Sequence, residues 1–374
     1  MPRKHTKTRK SRSTSKRQTR RKIPPAPTGH IWPEKSIVYI CGKSKVPFGP
    51  ADKDLGGSEQ AVTQLSKCWA SKGYNVVVYG NVKEGTHDGV IYRSIHELNL
   101  ADTFDRAIFW RSFGIRLFPV IKARKRIVDL HDSWDPKNYI NPAELVEATD
   151  AFMVKSKYHK SLYKYIPNSK AHIIMNGVQV SLFQNIIDNI PETNRNPTRL
   201  IYASTYERGL EPLLKYSWPQ IKAAIPDATF DIYYGMNSLA KTPLGARLMK
   251  LFKQPGIKEH GRVSLEEIAR QKATSAIHFY VSNHPTEIDC ISVRESLLCG
   301  SVPVLGNDYV FKERDGVHVA GSTDSPTTYK KAATTVIRLL KDQPALEAKR
   351  KELKKSKTII SWEEVAEKWL KIMF

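Results

Sequence analysis

The segment AIHFYVSNHPTEIDCISVRESLLCGSVPVLG (276–306) decides how the chain is read. Its first six residues, apolar but for His278, form a run of the kind that makes a strand buried on both faces. The loop SNHPTE follows, and a helix is expected over 288–299, where Ile291, Leu298 and Cys299 share one side with Glu295. Gly300 stops that helix, and VPVLG (302–306) is a second strand. Strand, helix and strand in so short a stretch make a parallel unit. Two glutamates stand inside it with seven residues between them: Glu287 in the loop after Pro285, and Glu295 on the apolar side of the helix. A Glu in apolar surroundings is costly without a partner, so such a residue is either exposed or bound to something.

The alternation extends in both directions. SIVYIC (36–41), NVVVYG (75–80), RAIFW (106–110), RIVDL (126–130), AFMV (151–154) and HIIM (172–175) read as buried strands, with helices such as 58–72 and 156–165 between them. Further strands are expected at 200–204, 230–235 and 317–321, and helices at 209–224, 243–253, 265–273 and 327–341. Ser264 with Glu267, and Ser361 with Glu364, mark two helix starts as capping boxes. IIDNIPETNRNPT (186–198), polar and broken by two prolines, divides the chain, which at 374 residues exceeds the size of one core. The expected organisation is a tail and linker over 1–29, a domain over 30–185, a linker over 186–198, a second domain over 199–357 and a terminal helix over 358–374. The fold class is α/β: two Rossmann-like doubly wound domains facing a cleft at the C-terminal ends of their strands. In the last helix Trp362, Val365, Trp369 and Ile372 form one stripe, so it must dock on an apolar surface.

Composition narrows the class. No run approaches the roughly 18 apolar residues of a membrane span, and the N-terminus lacks the apolar core of a signal peptide. Cys41, Cys68, Cys290 and Cys299 lie in apolar or helical contexts without metal-like pairing, which suits reduced thiols in a cytoplasmic compartment. The net charge of +23 is unevenly spread, because residues 1–22 hold eleven Lys or Arg and no acid. That run is too polar to build a core, and IPPAPTG (23–29) after it reads as a stiff linker. Such a tail suits nucleic acid, an anionic membrane surface or a nuclear import receptor, and equally a solubilising arm.

Several turns after predicted strands carry chemistry. In GPADKDLGGSEQ (49–60), Gly56 and Gly57 let a ligand approach backbone at a helix start, where free amides attract anions. Asp52 and Asp54 in that loop form a D-x-D triplet of a kind that can hold a metal, but a solvated loop is the better reading and no metal is expected. VDLHDSWDP (128–136) puts His131 at a strand end with Asp132 beside it. In ASTYERGLEPLL (203–214), Arg208 meets a helix start, a setting that fits a phosphate. Glu287 lies over the cleft, and Cys290, Ile291 and Ser292 supply the amides of another helix start. Glu295 behind them suits a pair of vicinal hydroxyls, as on a ribose.

Across roughly residues 36–374 these features resemble the GT-B glycosyltransferases of the family-4 type. The resemblance rests on Glu287 and Glu295 as that family's two-glutamate motif, followed by LLCGSVPV. GGSEQ, NGV (176–178), ERGLEPLL (207–214), GRVSLEEI (261–268) and the Trp-rich terminal helix support it. It implies a nucleotide-sugar donor, UDP- or GDP-linked, a retaining transfer to an acceptor hydroxyl, and no bound metal or other cofactor. It further implies that Glu295 holds the donor ribose, Glu287 the transferred sugar and Arg208 the diphosphate. By the same resemblance Gly57 approaches the phosphates, the turn at Gly261 and Val263 meets the base, His131 lies near the reacting carbon, and the terminal helix crosses back to the first domain. The chain departs from the family at Tyr202 and Ala203, where an Arg is common, and at Gln179, where an Asp is common. The acceptor, a glycan, a lipid or a protein-linked sugar, stays open. Two other functions fit the sequence: a polyanion-binding protein on a degenerate body, and a nucleotide-sugar epimerase on the same fold.

Overall fold

A computed structural model of the protein describes residues 28–42, 46–52, 55–133, 140–282 and 284–374. The basic run 1–22, nearly all of the linker after it, and Asp54 lie outside the described residues.

The run Ser36–Gly42 (β1) divides its side chains between two cores: Ile37, Tyr39 and Cys41 join one, Val38 and Ile40 the other. A strand buried on both faces belongs at the centre of a sheet covered by helices. Its companions are β2 (Asn75–Gly80), β3 (Gly85–His87), β4 (Val90–Ser94), β5 (Thr103–Trp110), β6 (Lys122–Asp129), β7 (Ala151–Val154) and β8 (Ala171–Ile173), in the spatial order 3-4-2-1-5-6-7-8. All pairs are parallel except β3 with β4, a hairpin at one edge. The second sheet contains β9 (Asn196–Ala203), β10 (Thr229–Tyr233), β11 (Ile257–Glu259), β12 (Ser275–Tyr280), β13 (Val302–Gly306) and β14 (Val317–Val319). Its order is 11-10-9-12-13-14, parallel throughout. Strand order therefore reverses between β1 and β5, and again between β9 and β12. A doubly wound sheet opens a ligand crevice at such a point.

The structure differs from the sequence expectations at three local places. The helix expected over 288–299 begins at Ile291, because Cys290 adopts a left-handed conformation with φ 60°. The helix expected over 209–224 widens into a π-helical stretch at Leu213–Ser217, just before Pro219, which has no N–H to return to the preceding turn. Only one of the two capping boxes is complete, at Ser361 and Glu364; Ser264 accepts from the Glu267 amide, but the Glu267 carboxylate turns to Gln271.

Two segments join the halves. The terminal helix Trp362–Met373 follows the second sheet yet packs on the first helix, Gly57–Ser71: the rings of Trp69 and Trp369 lie 5.6 Å apart, and Trp69 Nε1 donates to the Ala366 carbonyl. Its last carbonyls, at Ile372 and Met373, accept from Lys125 and Arg106, placing cations at the negative end of the helix. Val178 pairs with Ser361 beside this crossing, and a Cβ on Gly177 would sit 2.6 Å from Trp362. The helix Val180–Asp188, which a boundary at 186 would cut, packs Phe183 and Ile186 against Ala269, Ala273 and Cys299 and so sits with the second sheet. No helix among the described residues is long and apolar enough to cross a membrane.

Candidate active site

A cavity of about 660 Å³ lies between the two sheets, lined by loops that follow β1, β5, β6, β9, β10 and β12. Gly57, His131, Arg208, Val263, Glu287, Cys290, Ile291, Ser292 and Glu295 all line it. Gly261 does not; it holds the turn with φ 71° and accepts from the Tyr234 amide, while Arg262 and Val263 after it reach the wall.

Three helix starts converge on this space without side-chain caps. Gly56 precedes the helix Gly57–Ser71, Gly209 the helical stretch 210–224, and Cys290 the helix Ile291–Cys299. Unbonded amides at such ends, with the dipole behind them, form a place for an anion. Gly57 faces the third start directly, since a Cβ built on it would lie 3.3 Å from Ile291 Cδ1. Gly209 has φ 91°, and a Cβ there would meet the Val281 carbonyl oxygen at 2.4 Å, so the turn that delivers Arg208 requires glycine.

Arg208 and Glu287 pair across the cavity, Nη1 to Oε2, at 2.5 Å. Burial works against the Arg208 charge, but the adjacent Glu287 carboxylate offsets this and the guanidinium titrates above its ordinary value. Glu287 Oε1 also accepts from the Cys290 amide at 3.0 Å, which pins the loop leading into the third helix start. Asp52 is engaged elsewhere: it pairs with Lys83 and accepts from the Gly49 amide. Among the described residues no group of three or more His, Cys, Asp or Glu is arranged to hold a metal.

Glu295 is buried, as its place on the apolar stripe demands, and the reason it tolerates burial is Lys272. That side chain has no exposed surface, and its Nζ donates to Glu295 Oε2 at 2.6 Å. His131 stands at the opposite wall. Its Nε2 meets Asp129 Oδ2 at 2.9 Å, and Asp129 also binds Lys155 Nζ at 2.6 Å and the Tyr39 hydroxyl. Burial alone would raise the Asp129 carboxyl, but His131 and Lys155 beside it pull it well below the carboxylate range. An ionised Asp129 only accepts, so Nε2 carries the imidazole proton. Burial lowers the His131 pKa despite Asp129, which keeps the ring neutral near pH 7. Its other nitrogen, Nδ1, therefore presents a lone pair.

Several of these residues escape a reading of the sequence alone. Asp129, Lys155 and Tyr39 come from three different strands or their ends and meet only in the fold. Arg111, with φ 53° at the end of β5, clasps Asp132 through two hydrogen bonds of 2.8 and 2.7 Å and lines the cavity beside His131. Lys272 leaves a signal: it lies one turn beyond Ile268 and Ala269, on the stripe its helix buries.

No family model and no curated protein matches the sequence. Comparison with solved structures is decisive for the architecture. A glycosyltransferase from Rickettsia africae superposes with a TM-score of 0.66 at 14% identity, over 90% of this chain and 97% of that one. Sucrose-phosphate synthase from Thermosynechococcus elongatus gives 0.65 at 12% identity, over 90% and 98%. Anabaena HepE, solved with UDP and glucose, gives 0.65 at 12% identity over the same shares. The chain has the GT-B fold. At these identities the likeness speaks for the fold, and the function must be argued from the cavity.

Proposed function

We propose that the protein is a glycosyltransferase that moves a sugar from a nucleoside-diphosphate donor to an acceptor hydroxyl, with retention of anomeric configuration and without a metal. One observation carries the reading: an arginine and three uncapped helix starts share a cavity with two carboxylates that are each already held by a protein group. Such a set suits a polyanion carrying hydroxyl groups at either side. HepE, with the same fold, was solved in complex with UDP-glucose, which supports a donor of this class.

In this mechanism the donor diphosphate settles at the starts of the helices at 57 and 291, and Arg208 turns from Glu287 to the phosphates. Glu287 is then released to accept from a hydroxyl of the sugar, and Glu295 accepts from the ribose. The backbone turn at Gly261 and Val263 meets the base. Negative charge grows on the diphosphate as its bond to the anomeric carbon breaks, and preorganised donors aimed at that charge lower the barrier most. The acceptor oxygen bonds the same carbon from the leaving-group side, and its proton passes to the departing phosphate oxygen. The neutral His131, fixed by Asp129, lines the space beside the reacting carbon. The acceptor enters from the first domain's wall. The basic tail is a separate polyanion-binding arm that the reaction does not use.

A donor screen tests the reading. The full chain, dialysed against EDTA, is incubated with UDP-, GDP- and ADP-sugars, and nucleoside diphosphate release is followed with and without acceptor glycans. Release from one donor without added metal is expected, and the anomeric configuration of the product reports retention. Release that needs magnesium or manganese would revive Asp52 and Asp54 as ligands. An altered free donor, with no transferred sugar, would favour an epimerase.

A further inference from the structure

Lys272 is an unusual residue to find on a cavity wall with no accessible surface. A lysine so buried is stable only if its three N–H donors are satisfied. They are: Nζ reaches Glu295 Oε2 at 2.6 Å, Ser292 Oγ at 3.0 Å and the Ser292 carbonyl at 2.9 Å. No donor is left over, so Lys272 cannot itself bind a phosphate. Ser292 passes the tie onward, donating from Oγ to the Ala203 carbonyl at 2.8 Å. Lys272 thus joins its own helix, Leu265–Ala273, to the start of the helix Ile291–Cys299 and to the end of β9.

The carboxylate of Glu295 is consequently asymmetric. Oε2 is held by the lysine, while among the described residues Oε1 takes no hydrogen bond. The cation also balances a negative charge that would otherwise stand, buried, in the same cavity as a diphosphate, where like charges repel strongly. We propose that Lys272 is the positioning residue for sugar-ring recognition in the nucleoside, holding Glu295 in one orientation so that Oε1 is offered to a ribose hydroxyl. This inference rests on the assignment of the cavity to a nucleoside-diphosphate donor. It adds that discrimination between a ribose and a ring lacking its hydroxyls depends on a residue that touches no part of the ligand.

The test is calorimetric titration of the full chain with UDP, GDP and ADP, with the 2′,3′-dideoxy counterpart of whichever binds best, and with inorganic pyrophosphate. The parent protein should prefer the ribose form by about tenfold or more, the scale of one hydrogen bond to a charged acceptor. In K272M that preference should fall to within about threefold, matching E295Q, while affinity for the dideoxy form and for pyrophosphate stays close to the parent's. K272R, which keeps the cation, should retain part of the preference. If K272M does not fold, K272Q, which keeps a donor without the charge, takes its place under the same expectation. A folded K272M or K272Q that still prefers the ribose form overturns the proposal, because Lys272 would then only fill space. A lysine variant that instead loses pyrophosphate overturns it too, since Lys272 would be acting on phosphate. Failure of the parent to bind any of the three diphosphates would strike at the functional reading itself, before a variant is made.

Discussion

The helices of this protein begin in two ways, and the difference follows where they point. Helices starting at Pro142, Lys157, Pro243, Pro326, Gln343 and Trp362 lie away from the cavity, and each has an Asn, Ser, Thr or Asp side chain closing its first turn. Those starting at Gly57, Leu210 and Ile291 open onto the cavity and none has such a cap, while the helix at Val180, also uncapped, touches its edge. The helix at Leu265 stands between the two groups, lining the cavity edge with its first turn yet capped by Ser264. A missing cap costs about 1 kcal/mol of stability. Repeating that cost at each start facing the cleft makes sense if an anionic ligand completes those turns.

The largest effect that would sharpen this contrast comes from Arg208, the one guanidinium paired with Glu287 at the open starts. Arg208→Gln should lower kcat/KM for transfer by about 10²–10³, the usual loss when a donor to developing charge is removed. Its urea midpoint should move little. A variant with unchanged turnover would detach the cavity from diphosphate chemistry.

Acid should act on the closed side of the structure. His159 is fully buried in the capped helix Lys157–Ser161, and burial, only partly opposed by its bond to the Asp132 carbonyl and helped by the nearby Lys155 cation, lowers its pKa to about 4. An unfolded His titrates near 6.5. The unfolded chain therefore binds the proton first, and the contribution of His159 is complete above about pH 6.5 and lost as the pH falls towards 4. That contribution is on the order of 3 kcal/mol. Urea unfolding between pH 7 and 4 should show the loss, and a flat profile would contradict a buried neutral ring.

Two single-atom-scale changes give the smallest effects and the cleanest opposition. Ser361→Ala removes one half of the terminal capping box and should cost about 1 kcal/mol, with donor affinity untouched. Gly57→Ala should leave stability unchanged or raise it by up to about 0.5–1 kcal/mol, yet weaken donor binding by narrowing the gap to Ile291. If both variants changed stability and binding together, the division between open and closed helix starts would fail.

Much of the architecture is legible in the sequence because its central strands are buried on both faces and so read as largely apolar runs, β1 and β12 among them. Strands β3, β4 and β11 leave no such trace: β3 is exposed along its length and β11 nearly so, and both owe their pairing to neighbours. The site divides in the same manner. Residues at glycine turns and helix starts announce themselves locally, as Gly57, Arg208 and Glu287 do. Lys155 lies a whole strand crossover away from Asp129 and His131, so nothing local marks its pairing with Asp129. Arg294 is a plainer omission. It adjoins Glu295 but points elsewhere, to Asp289 and the Asn176 carbonyl, and fully buries a guanidinium where the two halves of the chain meet.

The central claim is that this cavity takes a nucleoside diphosphate through Glu295. Titrating the parent protein and Glu295→Gln with UDP, GDP and ADP in EDTA measures that directly, since the substitution removes a charge with almost no change in shape. One diphosphate should bind the parent without metal, and Glu295→Gln should bind it about 10–150-fold more weakly while unfolding at a similar temperature. Equal affinity in the two proteins, or binding that appears only when a divalent metal is restored, would contradict it.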